Sequence, residues 1–380
     1  MKIEDLTGQM QAIAPLELAE SWDRVGLLVG DEHRALTGPV VLTIDLTDRV
    51  LAEALGLKAS AIVAYHPPIW DPLVRLTAAS PRERILLRAI EAGMAVYCPH
   101  TALDAATGGV TDWLCEGLSG AGEGKIAGDC RALTPAGSRP GTQVKLVTFV
   151  PSPDIEKIRG ALASAGAGII GGYSVCSFAV EGTGTFLGNE TTRPAVGQPG
   201  QLERVREMRL EMVCARRALP LALETLRQFH PYEEPAIDVY EMAPQPRRAS
   251  GAGRRLTLDR PATLADLARR LRAHLGHARV QVASVSGTLD ASVSTLGVVP
   301  GAGSSLLSIA RDEHCEVFVT GEMKHHDVLE SLHAGVSVIL VGHTNTERGY
   351  LARLAVRLQA ALPGVHVHVA REDRDPLVIV

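Results

Sequence analysis

Short apolar runs alternate with segments of helical spacing at both ends of this chain, and that alternation leaves few folds open. Near the start, Val40–Ile44 is apolar, Leu46–Leu57 has helical spacing, and Ala61–Ala64 is apolar again. Arg82–Ala92 then reads as a helix and Met94–Cys98 as a strand. The last third repeats the pattern: Leu296–Val299, Ser304–Arg311, Glu316–Thr320, Lys324–Leu332, Val336–Val341, Glu347–Leu362 and Val365–Val369 read β-α-β-α-β-α-β. Strands alternating with helices predict mixed or parallel sheets under helical cover, an α/β fold.

Between these halves the pattern changes. Val144–Val150, a helix from Asp154 and Tyr173–Val180 form one β-α-β unit; Arg209–Cys214, Leu219–Phe229 and Ile237–Tyr240 form a second. Two such units predict a ferredoxin-like α+β domain. Gly120–Thr142 and Pro244–Arg255 are rich in Gly, Pro and Ser or Arg and read as linkers. The expected division is 1–135 and 256–380 as two halves of one α/β core, with 143–243 inserted between them. Insertion at exposed loops is tolerated when the ends lie close together.

Composition excludes several classes. The 380 residues are 46% apolar and 21% charged, which suits a globular core of two or three domains. The net charge of −5, without a basic block, argues against nucleic acid as a partner. The cysteines, Cys98, Cys115, Cys130, Cys176, Cys214 and Cys315, contain no C-x-x-C pair, which argues against a zinc ribbon and fits a reducing cytoplasm. Met1–Glu20 lacks a signal peptide's apolar stretch. Gly160–Val180 carries no charge, but its five glycines mark a helix end, a turn and a strand rather than a membrane span.

Three segments that follow apolar strands carry metal-ligand side chains: Tyr65-His66-Pro67, His100-Thr-Ala-Leu-Asp104 and His343-Thr-Asn-Thr-Glu347. In an open parallel sheet all three would face the crevice beyond the strands' carboxyl ends. His100 and Asp104, like His343 and Glu347, are four apart and share a face on a helical turn. Imidazole and carboxylate without thiolate suit Zn, Mn, Fe or Co. More than four ligands point to two ions, roughly 3.5–4 Å apart as in two-metal hydrolytic sites. Thr101-x-x-Asp104 and Thr344-x-x-Glu347 equally fit helix caps, and His66 fits a turn. Glu322, His325 and His326 in TGEMKHHD follow another strand and fit either a cavity wall or a polar helix start. Pro300–Ser305 lacks the ending of a P-loop. Asp45 reads as a helix cap; Trp22, Asp23 and Gly26 read as structural.

YHPPIW, PHTALDAATGGVTDWL, TGEMKHHD, GHTNTERGYL and the terminal EDRDPLVIV resemble the NIF-three-like family, also labelled GTP cyclohydrolase 1 type 2. HPYEEPAIDVY resembles the PII/CutA-like insert of its longer members. The resemblance implies a dinuclear metal centre with ligands His66, His100, Asp104, His343 and Glu347, in a toroidal homohexamer. It places Tyr65 where many bacterial members have a histidine, and Glu322 with one of His325 or His326 near the cavity. It implies a metal-dependent hydrolase acting on a small molecule through a metal-activated water. The alternative is a non-catalytic metal-binding regulator or scaffold, on the analogy of PII-like inserts.

Overall fold

A computed structural model describes residues 1–137, 143–243, 246–276 and 279–377. The chain forms two compact units: Met1–Ala136 with Arg247–Val380, and Gly137–Pro246.

The first unit holds two sheets. One has the order Gly26–Val29, Ala95–Cys98, Ala61–Ala64, Val40–Thr43, Val367–Val369. Its three inner strands are parallel and wholly buried, as expected of continuous apolar runs covered on both faces. Asp48–Gly56 and Pro81–Glu91 supply the crossovers. The Thr47 hydroxyl caps the first helix and a Ser80–Glu83 capping box the second, with Pro81 where its missing N–H is harmless. The second sheet runs Gln281–Ala283, Ser337–Leu340, Val317–Thr320, Ser292–Val298, Pro246–Thr263, Asp129–Gly137, with its three central parallel strands flanked by antiparallel ones. One apolar cluster, with Val63, Tyr97, Leu114, Leu264, Val319 and Leu354 among its members, packs between these elements.

Three sequence expectations change here. Val367–Val369 does not close the last third's own sheet; it pairs in parallel with Val40–Leu42. The run of Pro, Gly and Arg at 244–255 is not a linker, because Pro246–Thr263 is an 18-residue strand. Gly251 has φ +140°, and a Cβ there would lie 2.1 Å from the Thr134 carbonyl oxygen, so glycine permits the close approach of the neighbouring strand Asp129–Gly137. That strand likewise lies inside the stretch 120–142 read as a linker.

The second unit is a four-stranded antiparallel sheet in the order Ser177–Leu187, Leu202–Ala215, Gln143–Pro151, Ile237–Glu241. Helices Ile155–Ser164 and Leu219–Phe229 cover one face, packing Ile158, Leu162, Ala222 and Leu226 on Leu146, Leu210 and Met212. Among the described residues no helix is long and apolar enough to cross a membrane. All six cysteines are free.

Candidate metal centre

The carboxyl ends of parallel strands from both sheets of the first unit open on one cavity of about 470 Å³, lined by His66, His100, Asp104, His343 and Glu347. His66 follows Ala61–Ala64 and His100 follows Ala95–Cys98. His343 follows Ser337–Leu340 and is carried, with Glu347, around a short 3-10 turn. His66, His343 and Glu347 bring one ligand atom each to within 4.8 Å of one another. Glu347 is buried between the two rings, with Oε1 3.5 Å from His343 Nε2 and Oε2 3.5 Å from His66 Nε2. Oε2 makes no hydrogen bond of good geometry and meets only the His66 ring, so this buried carboxylate depends on a cation or proton between them.

Each histidine is pinned at Nδ1 by a different carboxylate. His66 Nδ1 lies 2.9 Å from Asp45 Oδ1, His100 Nδ1 2.8 Å from Asp23 Oδ1, and His343 Nδ1 2.9 Å from Glu322 Oε1. A carboxylate on Nδ1 fixes the ring so that Nε2 is left as the ligand atom, the usual support of metal-binding histidines. Asp23 also accepts from the Thr101 hydroxyl at 2.5 Å and the Thr101 N–H at 3.1 Å. This grip holds His100 at φ +27°, in the left-handed region, at a cost on the order of 1–3 kcal/mol. Close approach shapes the opposite wall. A Cβ on Gly301 would lie 2.8 Å from Glu347 Oε1, and one on Gly321 would lie 2.6 Å from the Gly301 carbonyl oxygen.

The protonation states reflect this crowding. Burial alone would lower the His66 pKa, but the pull of Asp45 and Glu347 carries it up to about 10. Asp45 moves down: burial opposes this, and the His66 contact with the charges of Arg348 and His343 outweighs it. Asp104 is pushed up to about 7 by burial and by the Glu347 charge, against the opposing pull of His100 and Tyr65. The cluster thus stores protons where a divalent cation would replace them. Its donors, imidazole nitrogens and carboxylate oxygens, suit a borderline first-row metal.

Tyr65 is buried, and its hydroxyl donates to Asp104 Oδ1. Glu322 reaches the centre through His343. His325 and His326 open the helix His325–His333 on its exposed side and do not line the cavity, so the expected cavity-facing histidine is absent from that helix. Asp45 is not a helix cap, since Thr47 caps the helix that follows; it orients His66. Asp23, read from sequence as structural, orients His100. One signal was available for Asp45: it ends an apolar strand on the same sheet edge as His66. Asp23 has no such signal, because its partner lies 77 residues away.

Fold and site together define an α/β protein whose strand-end histidines and carboxylates could hold a metal ion. The sequence pattern of Duf34/NIF3 (NGG1p interacting factor 3) matches residues 1–376, and the chain belongs to that family. It is 33% identical to the human "NIF3-like protein 1", across 100% of this chain and 93% of that protein. It is 31% identical to the Bacillus subtilis "GTP cyclohydrolase 1 type 2 homolog", across 97% and 96%. The crystal structure of a Bacillus cereus protein related to NIF3 superposes with a TM-score of 0.71 at 30% identity, covering 100% of this chain and 99% of that one.

Proposed function

We propose that this protein is a metal-dependent hydrolase with two divalent ions per chain, zinc, iron or manganese. The observation that carries the proposal is the threefold repetition of a carboxylate-pinned histidine around one cavity, with the buried Glu347 carboxylate between two of the rings. His66, His343 and Glu347 would hold one ion, and His100 with Asp104 would supply ligands to the second. When bound, such ions supply Lewis acidity and make water reactive at neutral pH. The chain's own residues do the remaining work. Asp45, Asp23 and Glu322 hold the imidazoles in their ligating orientation. Tyr65, itself buried, donates its hydroxyl to Asp104 and so holds that carboxyl in place on the cavity wall. The name borne by the Bacillus subtilis relative supports a finer version, opening of a nucleotide's purine ring in the manner of a cyclohydrolase.

The test is elemental analysis of protein from its native host, then a screen of nucleotide and phosphoester substrates with and without chelator. The expected result is one to two first-row ions per chain and turnover that is lost with chelator and in Glu347→Gln. Turnover unaffected by both would overturn the proposal. Absence of any turnover, with a protein partner bound equally well by Glu347→Gln, would favour a regulatory or scaffold role instead. The homohexamer implied by the family resemblance and the cytoplasmic location suggested by the scattered cysteines are part of the same proposal; light scattering on the purified protein tests the hexamer.

A further inference from the structure

The chain has three tryptophans, and two of them stand at the cavity of the candidate metal centre. Trp113 is buried against His274 and Tyr350. Trp22 and Trp70 are instead 56% and 38% exposed, although each indole would gain from burial as any large apolar side chain does. Their rings are near-parallel, 15° apart, with centroids separated by 6.4 Å. That is the wide end of aromatic pair contact, about 4.5–7 Å. Both rings also meet the His100 imidazole edge-on, at 6.0 and 5.4 Å.

The Trp22 backbone is held on both sides. The Glu20 N–H donates to the Thr101 hydroxyl at 3.0 Å, and Asp23 grips His100 and Thr101. The orientation of Trp22 is therefore tied to the residue that orients a candidate ligand. Trp70 sits in an irregular loop between Pro67-Pro68 and Pro72, whose fixed φ angles stiffen it. An exposed, paired aromatic surface opening on a polar cluster is the arrangement that holds a flat ring by its face and leaves its edge for chemistry.

We infer that Trp22 and Trp70 form a stacking platform for a planar nitrogen heteroaromatic ring, and that this ring is the part of the substrate presented to His66, His100, His343 and Glu347. The inference deepens the hydrolase reading and rests on it for the reaction, though ring binding itself needs no metal. The substrate class is then a small molecule built around a nucleobase-like ring, rather than a simple phosphoester or a peptide.

The experiment uses the full chain, freed of metal with chelator, and follows tryptophan fluorescence during titration with adenosine, guanosine and cytidine, with ribose as the ring-free control. Stacking on Trp22 and Trp70 is expected to quench emission with at least one nucleoside and not with ribose. Trp22→Ala and Trp70→Ala each leave one reporter at the site. They are expected to weaken binding by about tenfold or more, the loss usual for one base–aromatic contact. Trp22→Phe and Trp70→Phe should stay within about threefold of wild type, because a phenyl face replaces the indole. Metal uptake of all four variants, measured separately, should match wild type and shows that the cluster beneath is intact. Quenching by none of the nucleosides, or alanine variants that bind as tightly as wild type, would overturn the inference. The two readings fail separately. Ring binding without turnover of any substrate removes the hydrolase and leaves the platform; turnover with unchanged KM in both alanine variants does the reverse.

Discussion

The Tyr65 hydroxyl donates its hydrogen bond to Asp104, a half-buried carboxyl that shares the cavity with Glu347. Burial, with the Glu347 charge behind it, pushes the Asp104 pKa from 3.8 to about 7, so in the metal-free protein the folded state holds a proton that the unfolded state releases. A raised carboxyl pKa stabilises the fold fully below about pH 4 and loses that contribution as pH rises through about 7. The metal-free protein should therefore lose thermal stability between about pH 4 and 7 relative to Asp104→Asn, whose side chain does not titrate. Calorimetry across that range checks this. Saturating zinc or manganese should remove the difference in slope, because a cation then replaces the proton. Parallel pH profiles for wild type and Asp104→Asn without metal would show that Asp104 does not carry the shift.

Asp45 touches the proposed ions only through His66, which makes it a positioning residue. Asp45→Asn keeps the side chain's shape but removes the charge that fixes the His66 ring. The expected outcome is a loss of metal affinity of about 10–100-fold, the range typical of such supporting partners, with secondary structure unchanged. Competition against a chelator of known affinity measures it. Asp48→Asn, on the helix that follows and outside the cavity lining, serves as the control and should leave affinity unaltered.

The parts of this fold legible in the sequence are those where a local pattern has a single physical meaning. Val40–Thr43, Ala61–Ala64 and Ala95–Cys98 read as strands because a parallel strand covered on both faces must be apolar throughout. His66, His100 and His343 could be placed on one edge because each follows such a strand. The carboxylates behind them were not legible. Asp45 and His66 are 21 residues apart, Asp23 and His100 are 77 apart, and a short acidic residue beside a helix start reads locally as a cap. Pro246–Thr263 was hidden for another reason. Its glycines and arginines resemble a linker until the neighbouring strand shows why Gly251 cannot carry a side chain.

That strand bears on how separable the second unit is. Asp129–Gly137 and Pro246–Thr263 lie side by side in one sheet, and Arg248 pairs with Asp129 across them. The chain therefore leaves and re-enters the first unit at neighbouring points. Replacing 138–245 with a short Gly-Ser linker should yield a folded protein with the full metal stoichiometry, because all five proposed ligands lie in the first unit. Circular dichroism and elemental analysis check the two halves of the statement. An unfolded product would show that the second unit is needed for the core to fold.

Arg254 sets the strongest expectation for stability. It is 1% exposed, and its guanidinium lies 2.5 Å from Asp112 through Nε. Nη1 donates to the carbonyls of Gly251 and Gly253 at 2.8 and 2.9 Å, and Nη2 to those of Ala105 and Ala106 at 3.2 and 3.1 Å. It thereby fastens the end of the helix that carries His100 and Asp104 to the glycine-rich strand. Removing one partner of a buried ion pair leaves the other charge unpaired, a loss of about 3–5 kcal/mol. Arg254→Met should lower stability by that amount in urea unfolding of the metal-free protein. Asp112→Asn should cost less, because the arginine keeps its carbonyl contacts, which include one from Nη2 to Ala249 at 3.2 Å. If the two changes act through one network, the double variant will be less destabilised than the sum of the singles, with a coupling of about 0.5–3 kcal/mol. Strict additivity would mean that the arginine's value lies in its carbonyl contacts and that its charge pairing with Asp112 contributes little.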